Sequence, residues 1–410
     1  MTTTPPTTRA QQPSIRPIVA SGLVALAVAM GIGRFAFTPL MPLMIRDGTL
    51  SPAAGAEWAA ANYVGYLLGA LTASWFARDP RRGLLLSLLG VALTTLAMAA
   101  IETGTVPLLG LSLRASAGVF SAWALVCASG WCLAELARRQ SGQAGAWIYT
   151  GVGLGIALAG LLTWLGGRQP AHGLWLELGA LAGLGALFVR AQSATRSAGA
   201  DTETARISER EAAARAPLSR GRQVSLVVCY GTFGFGYIVP ATFLPSMARA
   251  LAPDPLVFGL TWPLFGFAAA LSVAAVARFL AYGSRLRIWA LAQAIMALGT
   301  ALPLFVRTLP AIALAAILVG GTFMVATMAG LQLAREARPD NPTPLLARMT
   351  AAFAAGQIAG PMLVRALGSG RWGGWDALGW TGAVATLLLI LTALWLWHSD
   401  RAGPEPRHAA

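Results

Sequence analysis

Residues 18–44 read IVASGLVALAVAMGIGRFAFTPLMPLM. These 27 residues carry a single charge, Arg34. A membrane-spanning helix needs about 20 predominantly apolar residues, so the stretch is long enough to cross a bilayer. It exceeds the apolar region of a cleaved signal peptide, about 7–15 residues, and reads as an uncleaved first span. Only helices and closed barrels satisfy their backbone in hydrocarbon. Barrel strands run about 10 residues, so a run this long is a helix.

The same pattern repeats outward from this stretch. Apolar runs follow at 56–77, 83–101, 106–134, 144–166 and 173–189. After a polar interval come 223–248, 256–281, 288–306, 310–333, 345–368 and 377–397. Twelve spans fill the 410 residues and leave no room for a large soluble domain. Composition agrees: 56% of residues are hydrophobic and 11% are charged, against about 25% charged in a soluble domain. The net charge of +14 would suit a nucleic-acid binder only on a polar fold, and the mean hydropathy is +0.63. No nucleic-acid partner is expected; the lipid bilayer is.

All 30 basic residues are Arg, and their placement gives an orientation. With the N-terminus in the cytoplasm, 22 fall on the inner side and 6 on the outer side, while Arg34 and Arg114 lie inside spans. This is a strong positive-inside bias. The expected organisation is a cytoplasmic tail (1–17), a six-helix bundle (18–189), a cytoplasmic linker (190–222), a second six-helix bundle (223–397) and a cytoplasmic tail (398–410). A short surface helix at 203–215 is one reading of the linker; a solvated segment is the other. The protein is placed in the cell's cytoplasmic (inner) membrane and is expected to be a monomer.

The two halves echo each other. Gly31-Ile-Gly33-Arg34-Phe35 with Pro39 and Pro42 in the first span matches Gly234-Phe-Gly236-Tyr237-Ile238 with Pro240 and Pro245 in the seventh. Two parallel halves of six spans are a transporter layout. The first and seventh spans are expected to face each other, bent near their proline-rich outer ends.

With GIGRFAFTPLMPLM (31–44), ANYVGYLLGA (61–70) and YGTFGFGYIVPATFLPSMAR (230–249), the chain resembles the major facilitator superfamily, and within it the YbfB/YjiJ-type branch. The resemblance implies an all-α integral membrane fold of twelve helices in two six-helix pseudo-repeats. It also implies secondary active transport by alternating access. Asp79, Arg81 and Arg82 resemble part of the superfamily's gating loop, whose glycines are missing here. Arg114 with Gly118 and Ala122 resembles a motif of the fourth span linked to proton coupling, with Ala117 in place of its Gln.

The residues themselves point the same way. A charge at a helix centre costs at least about 2.5–3.5 kcal/mol, so Arg34 should face a cavity or a partner. Its planar fork matches a carboxylate or phosphate; the alternative is a structural role. Arg114, about 12 Å deep if its span starts at Val106, is expected to assist it. Asn62, Tyr66, Tyr237 and Gln357 are further candidates for substrate binding, from a wider set with Tyr63, Trp123, Tyr149, Tyr230, Gln293 and Gln332. Asn and Gln inside spans also bridge helices. Carboxylates inside spans are scarce. Glu135 closes the fourth span and reads either as a proton carrier or as a partner for Arg138 and Arg139. Trp58, Trp75, Trp164, Trp372, Trp375 and Trp397 read as interface anchors. Gly151, Gly155 and Gly160 read as a close-packing row.

The expected function is transport of a small organic solute, anionic or zwitterionic, with protons as a candidate coupling ion. The alternatives are a transporter-fold sensor or scaffold, and an exporter of lipophilic compounds. No Walker motif, His-Glu-x-x-His or Gly-x-Ser-x-Gly is present, so neither ATP-driven pumping nor an enzyme is expected. Cys127, Cys132 and Cys229 lie in apolar runs and offer no metal spacing, and no cofactor or metal is expected.

Overall fold

Twelve long helices among the described residues take up the twelve apolar stretches, each within a few residues of its expected ends. A computed structural model describes residues 14–401 apart from 102–106, 195–217, 253, 255–256, 258, 339–340 and 369. The helices are α1 (Arg16–Arg46), α2 (Pro52–Phe76), α3 (Pro80–Ala97), α4 (Pro107–Arg138), α5 (Trp147–Leu165) and α6 (Ala171–Ala194). They continue with α7 (Arg220–Leu251), α8 (Thr261–Phe279), α9 (Arg285–Phe305), α10 (Leu309–Ala337), α11 (Thr343–Leu367) and α12 (Ala377–Arg401). The expected surface helix at 203–215 lies outside the described residues.

Local chemistry sets the ends. Ser51 accepts the Ala54 N–H at 3.2 Å and Asp79 accepts the Arg82 N–H at 3.1 Å, each capping a helix that starts on proline. Ser284 caps α9 in the second half as Asp79 caps α3 in the first. The side-chain acceptor satisfies a backbone N–H that has no intrahelical partner. At the C-terminal end of α1 the chain turns through Gly48 at φ 73°, a conformation that favours glycine. Beside it, Arg46 donates to Gly167 O and to Gln169 O, the latter at 2.6 Å. Asp47 accepts the Ala171 N–H at 2.7 Å. Burial pushes the Asp47 carboxyl up, but the Arg46 and Ala171 hydrogen bonds outweigh it and hold it below the usual carboxylate range. The clamp ties the C-terminal end of α1 to the start of α6.

Ten of these helices are long and apolar enough to cross a membrane. The two outside that set are α2 and α11, and they pack against each other between the halves. α2 carries Asn62, Tyr63 and Tyr66; α11 carries Arg348, Thr350 and Gln357. A helix with one face packed between the halves need not be apolar all round, while its other face still meets lipid. The outward faces of α2 and α3 present Leu68, Leu71, Trp75, Leu89 and Leu93.

Packing repeats between the halves. α1 lies on α5 as α7 lies on α11, and α2 lies on α4 as α8 lies on α10. The Gly-x-Gly pair explains the first contact. A Cβ at Gly31 would sit 2.3 Å from the α5 backbone at Gly155, and one at Gly234 would sit 2.3 Å from Phe353 O on α11. Between the halves, α5 meets α8 and α2 meets α11.

Two expectations need correction. The irregularity in α1 is not at its prolines. It is a π-helical segment, Ala27–Phe35, followed by a regular turn that holds Pro42. α7 runs as one α-helix through Pro240 and Pro245. Gly31 and Gly33 lie in this segment, and side-chain donors from α4 reach its carbonyls. Trp58 is not an interface anchor: it is buried beside Phe37, at 6.5 Å between ring centroids. Trp75 and Trp372 are exposed.

Candidate functional site

The π-helical segment presents Arg34 to the centre of the molecule. π-turns leave backbone carbonyls less well satisfied and are frequent at functional sites. Here α4 supplies the missing donors. Ser121 Oγ donates to Ala29 O at 2.7 Å. Arg114 donates from Nη1 to Gly33 O and from Nη2 to Arg34 O, both at 3.2 Å. Arg114 therefore grips two successive backbone carbonyls of α1 at once, and its guanidinium also lies 4.6 Å from the Phe37 ring centroid.

Arg34 is 3% exposed. Its Nη2 donates to Gln357 Oε1 on α11, a bridge between the two halves. Its guanidinium lies 3.7 Å from the Tyr66 ring centroid, with Phe35, Tyr63 and Phe353 further out. No ion pair among the described residues involves Arg34 or Arg114. A buried cation without a counter-ion is costly, and a ring face offsets about 2 kcal/mol or somewhat more when desolvated.

The unpartnered buried atoms define what the site would accept. Arg34 Nε and Nη1, Arg114 Nε and Gln357 Nε2 are donors with no protein acceptor. Tyr237 OH, also without a partner, can serve as donor or acceptor. Asn62 Oδ1 is the acceptor of this group. Its amide Nδ2 donates to Arg114 O at 2.9 Å. Asn62 was expected to give a neutral hydrogen bond to substrate; its Nδ2 is engaged between α2 and α4, and its Oδ1 has no protein partner. The unpartnered nitrogens of Arg34, Arg114 and Gln357 make this buried cluster rich in donors.

The second half contributes an aromatic wall. Tyr237 stacks on Phe323 at 4.8 Å and on Phe353 at 6.0 Å. Phe233 lies 5.1 Å from Phe353, and Phe265 lies 5.2 Å from Phe323. Phe35, next to Arg34, meets Phe323 edge-on at 6.1 Å. Sequence reasoning found Arg34, Tyr66, Tyr237 and Gln357, which the fold brings together, but missed Phe323 and Phe353. Their only signal was aromatic identity, shared with lipid-facing residues.

The expected gating residues lie elsewhere. Asp79 caps α3, with Arg82 exposed beside it. Glu135 pairs with Arg138 and, at 2.7 Å, with Arg139. It is on the same helix as Arg114, about 31 Å away by helix rise. Arg335 on α10 donates to Gly130 O on α4 at 3.2 Å, joining the halves near that end. Among the other polar candidates, Tyr149 bonds Ser129 at 3.1 Å and Gln293 bonds Thr392 at 2.5 Å, each between neighbouring helices. Trp123 bonds Thr72 at 2.9 Å and stacks on Phe76 at 3.9 Å. Among the described residues no cluster could hold a metal ion.

The family model for an uncharacterised MFS-type transporter, YbfB, matches residues 26–406. No curated sequence is significantly similar to the chain. Among solved structures, the human organic anion transporter MFSD10 (TETRAN) is 17% identical, with TM-score 0.68 over 94% of this chain and 100% of that one. A D-xylose–proton symporter is 14% identical, with TM-score 0.68 over 94% of this chain and 98% of that one. At these identities the likeness shows a shared fold, that of the major facilitator transporters.

Proposed function

We propose that the chain, which belongs to the YbfB family of MFS-type transporters, carries a small organic anion across the membrane by alternating access. Family membership makes it a multi-pass membrane transporter with a small-molecule substrate, and not an enzyme. The observation that carries the anion reading is the set of buried, unpartnered donors around Arg34, with no carboxylate among the described residues paired to it. An arriving anion would supply the counter-charge and acceptors that this set lacks. One fold neighbour is an organic anion transporter and the other a sugar–proton symporter, so the choice between them rests on this chain's own residues. A zwitterion fits less well, because its ammonium would need a counter-charge and no carboxylate among the described residues is paired to Arg34 or Arg114 to mark one at the site.

In this reading Arg34 and Gln357 bind the anion, and Tyr66 supports the guanidinium from below. Arg114 and Asn62 hold the π-helical segment in place, and Tyr237 offers a hydroxyl from the opposite half. The Arg34–Gln357 bridge closes the site between the halves. Asp79, Arg81 and Arg82 act at the inner end of α3. Protons are the candidate coupling ion, carried on the substrate or through Glu135. The two six-helix units, 18–189 and 223–397, rock about the α5–α8 and α2–α11 contacts.

Flux into proteoliposomes tests the reading. A singly charged organic carboxylate should enter vesicles holding the protein at least tenfold faster than empty ones, and a tetraalkylammonium cation should not. Cation flux without anion flux would reverse the assignment, and no flux of either would favour a sensor or scaffold. Orientation is tested separately. The native cysteines Cys127, Cys132 and Cys229 are buried. A single added cysteine at Ser197 should label only from the cytoplasm, and one at Thr105 only from outside. Labelling of position 197 on intact cells would invert the topology drawn from the Arg bias.

A further inference from the structure

The central site pairs one available cation with a wall of rings, and this combination narrows the substrate. We infer that the cargo is a monoanion with a flat aromatic body, an arenecarboxylate in chemical class. The inference rests on the anion reading above and adds the nature of the rest of the molecule.

Three observations carry it. First, Arg34 is the guanidinium with more nitrogens open to a ligand. Arg114 has Nη1 and Nη2 on the carbonyls of Gly33 and Arg34, and Nε is its one nitrogen without a protein partner. Arg34 has two nitrogens, Nε and Nη1, without a protein acceptor, and each can donate a hydrogen bond to a carboxylate. A second carboxylate would meet one open nitrogen of Arg114, against two on Arg34.

Second, the surface facing Arg34 offers rings and few polar atoms. Phe353 lies 5.8 Å from the Arg34 guanidinium and 6.0 Å from the Tyr237 ring. It therefore links the charge to the aromatic cluster of Phe233, Tyr237, Phe265 and Phe323. A polyhydroxylated acid would bury several hydroxyls against this wall, each unsatisfied and costly. A flat apolar body needs no such partners, and aromatic pairs add attraction beyond burial.

Third, Tyr237 carries a buried hydroxyl with no partner, set among those rings. One isolated hydroxyl suits a ligand with at most one polar substituent at its far end. It does not suit a sugar.

Binding to the purified full-length chain, by calorimetry, tests the inference with four probes: benzoate, cyclohexanecarboxylate, succinate and gluconate. Benzoate should bind at least tenfold tighter than succinate or gluconate, and tighter than cyclohexanecarboxylate. Phe353→Leu keeps an apolar side chain and removes the ring face. It should weaken benzoate about 3–10-fold and leave cyclohexanecarboxylate within about twofold. Phe323→Leu provides the same test should the first variant fold poorly, and the probe series on the wild-type chain depends on neither. Succinate or gluconate binding as tightly as benzoate would overturn the aromatic class and leave the anion reading standing. So would cyclohexanecarboxylate matching benzoate. Binding of none of the four would remove the anion reading and this inference with it.

Discussion

Arg34→Gln should lower anion transport in proteoliposomes by about 100-fold or more while the protein still inserts and purifies as a single species. Hydrogen bonds to charged groups contribute about 1.5–3 kcal/mol each. Two open nitrogens of Arg34 are in question, so about 3–6 kcal/mol of anion binding is at stake, over 100-fold in affinity. Arg34→Lys keeps the charge and loses the fork, and should weaken binding about tenfold. Stability should move the other way. Arg34 is a buried cation with a ring face and one amide for company. Removing it relieves a desolvation cost, so the Gln variant should melt at or above the wild-type temperature. Loss of activity with retained or raised stability is the pattern of a functional residue. A variant that melts far lower would make Arg34 structural, as would one that transports at the wild-type rate and affinity.

Arg34 was legible in the sequence because a charge inside an apolar run has few explanations. The helices were legible for the same reason, since hydrocarbon demands length and apolarity and both can be counted along a chain. Direction within the membrane was not. Phe323 sits in a run as apolar as the lipid-facing ones and Phe353 on the less apolar α11, and only the packing of α10 and α11 turns both rings inward. Arg114 was legible as buried but not as a backbone donor. Its partners, Gly33 O and Arg34 O, exist as open acceptors because α1 takes a π-helical turn. Gln357 was one of several glutamines, and 323 positions separate it from Arg34. Its role follows from the α2–α11 contact, which local pattern does not carry. Trp58 misled because aromatic belts are a tendency of span ends; the missing side chain at Gly110 on α4 left room for the ring to turn inward.

Gly153→Leu, on the face of α5 that meets α8, should lower transport at least tenfold. A Cβ at Gly153 would lie 2.3 Å from Ala270 N and 2.8 Å from Ala269 C. These are backbone atoms, so no rotamer change relieves the clash. The contact is reciprocal: a Cβ at Gly266 on α8 would lie 2.3 Å from Ala157 N. Ordinary contact would require the two helices to separate by more than about 1 Å, and overpacking of this kind costs about 1–3 kcal/mol or more. α5 joins the first half through Gly151 and Gly155, whose Cβ positions would meet Leu23 O and Ala27 O of α1 at 1.9 and 2.4 Å. The same helix thus holds α1, with its π-helical segment, on one side and the second half on the other. Pushing α5 off α8 shifts Arg34 relative to Gln357 and the aromatic wall, so a change outside the site reaches the site. Packed interfaces move between discrete arrangements and do not deform smoothly. The wedge should therefore favour one arrangement and slow the cycle more than it weakens binding. A Cβ at Gly183 on α6 would meet nothing within 4 Å, and Gly183→Leu is the matched control. The control should transport normally. If Gly153→Leu carries substrate as fast as the control, the α5–α8 backbone contact is not a working surface of the transport cycle.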